Sequence, residues 1–205
     1  MTNHKISSGW FPISTAVLML VFWILYAVFL PMQEPYVNWV LDSDWTWVNV
    51  IGFVGSLMGI FALNSVYSVL NSEKTSDYIG YTIGISGVVI LTAILFFEAF
   101  ILKGIAIQSP EIINLNSGFY QENSFKIANL SGGLLLTIGA LILGVSMVKR
   151  KIFKRWKVVM FMIACPTFGI VIMPGNVRLL GVLLYSISLI AIGVEMNKKT
   201  DANKT

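Results

Sequence analysis

Apolar residues run along this chain in six long blocks separated by short polar stretches. The blocks cover 13–30, 48–70, 79–102, 127–148, 156–173 and 177–194. Each approaches the roughly 20 residues that a helix needs to cross a hydrocarbon core. Pro31 follows the first block, and Pro174-Gly175 separates the fifth from the sixth. The pattern predicts an all-α, polytopic integral membrane protein: a single domain, 1–205, built from six transmembrane helices. The first block is longer than the apolar core of a secretion signal, about 7–15 residues, and no small-x-small cleavage pattern follows it, so it reads as a retained span.

The polar connections differ in kind. Residues 71–78 and 149–155 form short turns, and Pro174-Gly175-Asn176 reads as a tight hairpin. Two connections are longer. Residues 32–47 hold Tyr36, Trp39, Trp45 and Trp47 among Glu34, Asp42 and Asp44. Such aromatics favour the headgroup level, so this segment is expected along the membrane surface. In 104–126, Ser109-Pro110-Glu111 has the form of a helix start, with a capping residue, proline and an acid in the first turn.

Charge fixes the expected orientation. Eleven of the fourteen Lys and Arg residues fall in the tails and in the second and fourth connections: Lys5, Lys74, Lys149, Arg150, Lys151, Lys154, Arg155, Lys157, Lys198, Lys199 and Lys204. Lys103, Lys126 and Arg178 make up the other side. The positive-inside rule then puts both termini in the cytoplasm of a cell-membrane protein. The cluster Lys149, Arg150, Lys151, Lys154, Arg155 and Lys157 suits anionic lipid headgroups. The net charge of +4 does not point to nucleic acid, because the cations sit at span ends rather than on a polar domain. Only 12% of residues are charged, against about 25% in soluble domains.

Small residues at the helical period mark packing faces: Gly52, Gly55 and Gly59 in the second span, Gly80, Gly84 and Gly87 in the third, Gly133 and Gly144 in the fourth. Such faces serve tight helix contact within the chain or against another membrane protein. In the fifth span, Pro166 removes a backbone donor and predicts a kink that Thr167 or a neighbouring helix compensates.

Glu98 is the leading candidate for chemistry. It lies eighteen residues, five helical turns, from Gly80 and therefore on the same face, toward other helices rather than lipid. A carboxylate in a span costs about 2.5–3.5 kcal/mol on insertion scales, so such groups are usually paired or functional. Arg178 and Lys103 fall at similar depth, and Arg178 is the better partner if the third and sixth spans touch. Asn64 and Ser68 share a polar face toward the inner end of the second span, and Tyr185 and Ser188 add polar groups to the sixth.

Many activities lack their residues. The sequence has one histidine, His4, and one cysteine, Cys165, so neither two-histidine haem ligation nor an intrachain disulfide is open to it. There is no nucleophile elbow, phosphate loop, CxxC or HExxH. No cofactor and no metal are expected, and the reading is non-enzymatic.

From 95 to 195 the order of features is Phe96-Phe97-Glu98-Ala99-Phe100, Ser109-Pro110-Glu111, Ser131-Gly132-Gly133, Lys154-Arg155-Trp156, a proline-broken span, and Asn176-Val177-Arg178-Leu179-Leu180-Gly181. This resembles small multi-spanning bacterial membrane proteins grouped as families of unknown function. The resemblance implies a topology and no activity. The leading functional reading is a helical bundle that binds a lipid or a protein partner. The alternative is a small transporter or channel with Glu98 and Arg178 as its coupling or gating pair. A packed interior favours the first. A cavity lined by Glu98 and by polar groups of at least two other spans favours the second.

Overall fold

A computed structural model describes residues 8–31, 34–70, 74–114, 117–118, 123–169 and 175–202. The chain forms α1 (Trp10–Phe29), α2 (Tyr36–Leu41), α3 (Trp45–Leu70), α4 (Thr75–Phe100), α5 (Leu102–Gln108), a 3-10 turn (Pro110–Ile112), α6 (Asn123–Lys149), α7 (Arg155–Gly169) and α8 (Gly175–Ala202). Two residues, Ile113–Asn114, pair antiparallel with Ser117–Gly118. Among the described residues, five helices are long and apolar enough to cross a membrane: α1, α3, α4, α6 and α8. Helix α7 has 15 described residues. The last residues of the expected fifth span, and Pro174 after it, lie outside the described residues.

The helices keep their backbone polar groups inside, as hydrocarbon demands. Buried hydroxyls follow the same rule by donating to the carbonyl four residues earlier: Thr15 to Phe11, Thr92 to Val88, Thr137 to Gly133. In α7 the Thr167 hydroxyl, beside Pro166, reaches the carbonyls of Ile163 and Ala164.

The six long elements form a closed ring in the order α1, α3, α4, α6, α7, α8, with α8 packing back on α1. Neighbours run antiparallel. Along the α4–α6 seam, Gly80 lies against Ile142, Gly84 against Gly139, and Gly87 against Leu136. The approach is backbone to backbone: a Cβ on Gly139 would fall 2.3 Å from the Gly84 Cα. Helix α6 has two small-residue faces side by side. Gly132 and Gly139 meet α4, whereas Gly133 meets Gly169 of α7, and Gly144 lies under Met162 of α7. In α3, Gly52 lies beneath the Phe22 ring and Gly55 beneath Leu18 and Met19 of α1. The ring closes at one end through Gly9, whose N–H donates to Asn197 Oδ1 at 2.9 Å. A Cβ on Gly9 would fall 2.0 Å from the Gly193 carbonyl oxygen. We call this the basal end. The turn after α6 lies there too, since Lys199 donates to the Ile152 carbonyl.

The opposite end carries a cap. Residues 34–47 turn one side onto the bundle and leave Asn38, Leu41 and Trp47 exposed on the other. Tyr36, Val40 and Trp45 are buried together with Leu102, Ala106 and Ile113. Tyr36 meets Trp39 and Trp45 edge-on at 5.4 and 5.8 Å. The α4 helix stops at Phe100, and a short helix follows at Leu102–Gln108. Ser109 then stands at the N-cap position of the 3-10 turn, with Pro110 at its start and Glu111 in its first turn, as the Ser-Pro-Glu pattern predicts.

The glycine seam makes a direct prediction. Gly139→Val should lower thermal stability in detergent by about 1–3 kcal/mol or prevent assembly, because backbone lies where the side chain must go. Gly104→Ala, with nothing within 4 Å of its added carbon, should be neutral or stabilising. A melting series monitored by size-exclusion chromatography separates the two.

Candidate functional site

The ring has an inside. A cavity of about 430 Å³ is lined by residues from all six ring helices and from α2. Its volume lies within the range of small-molecule pockets, about 300–1,000 Å³. On α1 the lining runs from Thr15 to Tyr26. Eleven residues at 1.5 Å each make this about 16 Å along the bundle axis. The chamber therefore reaches from the cap well past the middle of the helices.

Its two ends differ chemically. Away from the cap the lining includes Thr15, Met19, Gly59, Val88 and Leu136, mostly apolar. Toward the cap it includes Trp23 and Tyr26 of α1, Tyr36 and Trp39 of α2, Glu98 of α4 and Arg178 of α8. The helix ends explain this. Glu98 is two residues from the end of α4, and Arg178 is three residues into α8.

Glu98 and Arg178 thus share one chamber, yet among the described residues no ion pair joins them. Helices α4 and α8 stand across the ring from each other instead of packing as neighbours. The Arg178 guanidinium lies over the Trp23 ring, 4.8 Å from its centroid. Its buried Nε has no hydrogen-bond partner among the described residues, nor has the buried Nε1 of Trp23. Lys103 is not at the site. Its amine donates to the Asp42 carbonyl and ties α5 to the residue that ends α2. Glu98 contributes its backbone to the cap, accepting from Trp45 Nε1 at 2.8 Å.

The other polar candidates go elsewhere. Asn64 is exposed and accepts from the Tyr81 hydroxyl, and Ser68 donates to Ser65 within its own helix. They do not line the chamber. Tyr185 does, whereas Ser188 donates to the Tyr185 carbonyl. Ser56 and Asn129 line it as well, with Ser56 bonded to Thr92 across the α3–α4 seam at 2.7 Å. Among the described residues there is no cluster of His, Cys, Asp and Glu able to hold a metal ion.

Of the six cations grouped at 149–157, two turn inward. Arg150 pairs with Asp77 at 2.9 Å and donates to the Leu70 carbonyl, while Lys157 pairs with Glu195 at 2.8 Å and donates to the Ala191 carbonyl. Asp77 is fully buried and also accepts from Ser146. Helices α4 and α6 are pinned in this way, as are α7 and α8. Lys149, Lys151, Lys154 and Arg155 remain exposed. Asp77 drew no attention in the sequence because it stands in a polar stretch that reads as a turn; the first turn of α4 draws it inside. Trp23 and Tyr26, three residues apart on one helix face, were legible only as span residues.

No protein-family model, no curated protein and no solved structure matches this chain.

The two carboxylates should behave oppositely. Asp77→Asn should cost about 3 kcal/mol, the low end for a broken buried pair because Arg150 keeps partial exposure. Arg150→Met in the same chain should recover part of it. Glu98→Gln should leave detergent stability unchanged or raise it, since no direct partner is lost. Thermal melts of the three variants beside the parent test this; a large loss in Glu98→Gln would reveal a pair.

Proposed function

We propose that this is a six-span protein of the cell membrane whose interior chamber binds a lipid-like amphiphile. The observation that carries the reading is the chamber itself: apolar along most of its length, with one acid, one base and aromatic rings collected at the cap end. A molecule with an apolar body and a polar head matches that distribution, and the surrounding bilayer supplies such molecules. Several observations support six crossings. Helix α7 sits antiparallel between α6 and α8, and Gly9 meets Asn197 at the end that also holds the basic turn. That end is assigned to the cytoplasm on the strength of its Lys and Arg residues. The exposed cations Lys149, Lys151, Lys154 and Arg155 then face anionic headgroups.

Transport of the bound molecule is the second reading. Polar groups of four other ring helices, Thr15, Ser56, Asn129 and Tyr185, join Glu98 in the lining, which is the feature that separates a transporter from a packed bundle.

Two experiments test these readings. Single cysteines placed at residue 152 and near each terminus, in a Cys165→Ala background, should react with a membrane-impermeant thiol reagent only in inside-out vesicles; labelling of any one from outside would overturn the orientation. Gly59→Leu should fill the middle of the chamber without disturbing the ring, because the added Cβ meets Val88 and Thr15 at ordinary contact distances of 3.5 and 3.7 Å. It should fold as the parent does but lose lipid that copurifies with the parent, as read by native mass spectrometry. Equal lipid in both proteins would count against the chamber.

A further inference from the structure

Resting on the chamber reading, we propose that the head of the bound amphiphile is zwitterionic, with its anionic group on Arg178 and its cationic group at Glu98 among the aromatic rings of the cap.

Geometry carries the argument. Two opposite charges line one cavity, and among the described residues neither has an ion-pair partner. A buried charge without a partner costs several kcal/mol, whereas a bound counter-charge offsets that cost. A ligand with one charge would satisfy only one of the two. A neutral ligand would satisfy neither. A head with both charges, separated by a few bonds, satisfies both across the ring.

Each pole has further features of its own. At the anion pole, the guanidinium lies over the Trp23 ring, and its N–H groups suit a planar or tetrahedral oxyanion. The orphaned Nε of Arg178 and Nε1 of Trp23 add two buried donors in the same region. At the cation pole, Tyr26, Tyr36 and Trp39 line the chamber with Glu98. Aromatic faces beside a carboxylate are the chemistry that holds alkylated ammonium groups. Trp39 Nε1 donates to the Glu34 carbonyl and Trp45 Nε1 to that of Glu98, so the indoles that frame this pole are held in place.

The head could come from a single-chain lipid or from a soluble zwitterion, and the apolar lower chamber favours the lipid. The test uses the full chain purified in an uncharged maltoside detergent. Four probes are titrated: an alkylphosphocholine, the alkyl phosphate and alkyltrimethylammonium of equal chain length, and phosphocholine with no chain. Tryptophan fluorescence reads binding, because Trp23 and Trp39 line the chamber. The zwitterionic alkyl probe should bind about tenfold more tightly than either singly charged homologue. Glu98→Gln should remove its advantage over the phosphate, and Arg178→Gln its advantage over the ammonium. Those opposite shifts cannot arise from unfolding, which would abolish all binding together. Phosphocholine binding as tightly as the alkyl form would support the head chemistry and assign it to a soluble ligand. Equal affinity of the parent for all three alkyl probes would overturn the zwitterionic head and leave the chamber standing. No saturable binding of any probe, with Gly59→Leu indistinguishable from the parent, would overturn both.

Discussion

Helix α8 has to return to α1 for this bundle to have an inside at all, and that return depends on how closely two backbones can approach. Lipid tails give helices no hydrophobic reason to associate, so close contact and hydrogen bonds must do it. At the last seam the contact is made by Gly9 against Gly193, by the Gly9 N–H on Asn197, and by the Ser186 hydroxyl on the Ala16 carbonyl at 3.1 Å. The α4–α6 seam, opposite in the ring, uses the same device with Gly84 and Gly139. Tight seams around the circumference and large side chains toward the axis leave a chamber where a simple bundle would be filled.

Charge is used in two ways along the axis. At the basal end each buried or half-buried acid has a cation beside it, Asp77 with Arg150 and Glu195 with Lys157. These pairs join neighbouring helices, and their work is mechanical. At the cap end Glu98 and Arg178 stand on helices that are not neighbours. The same ring brings them into one chamber without a direct ion pair among the described residues. This asymmetry separates the charges that hold the fold from those available to a ligand.

Much of the architecture is written in the apolar blocks and in the glycine spacing. The blocks place the described ends of the long helices to within about four residues, except that α8 runs on to Ala202, and most of the marked glycines do lie at seams. Periodicity alone did not say which face of α6 meets which neighbour, since Gly132 and Gly133 begin two equally regular stripes. Glu98 and Arg178 were legible as costly groups at matching depth. Their separation was not, because the order of helices around a ring is set by long-range contacts. The packing of the cap was not legible for a related reason: only Leu102 and Ala106, some sixty residues later, give Tyr36, Val40 and Trp45 something to pack on.

The meeting of Gly9 with Asn197 also bears on biosynthesis. The partner of α1 on one side, α8, follows every other helix of the ring in the chain. Until α8 is made, the side of α1 that carries Ser186's acceptor, Ala16, has no helix of the ring against it. The ring therefore stays open as a horseshoe while its other five helices are made.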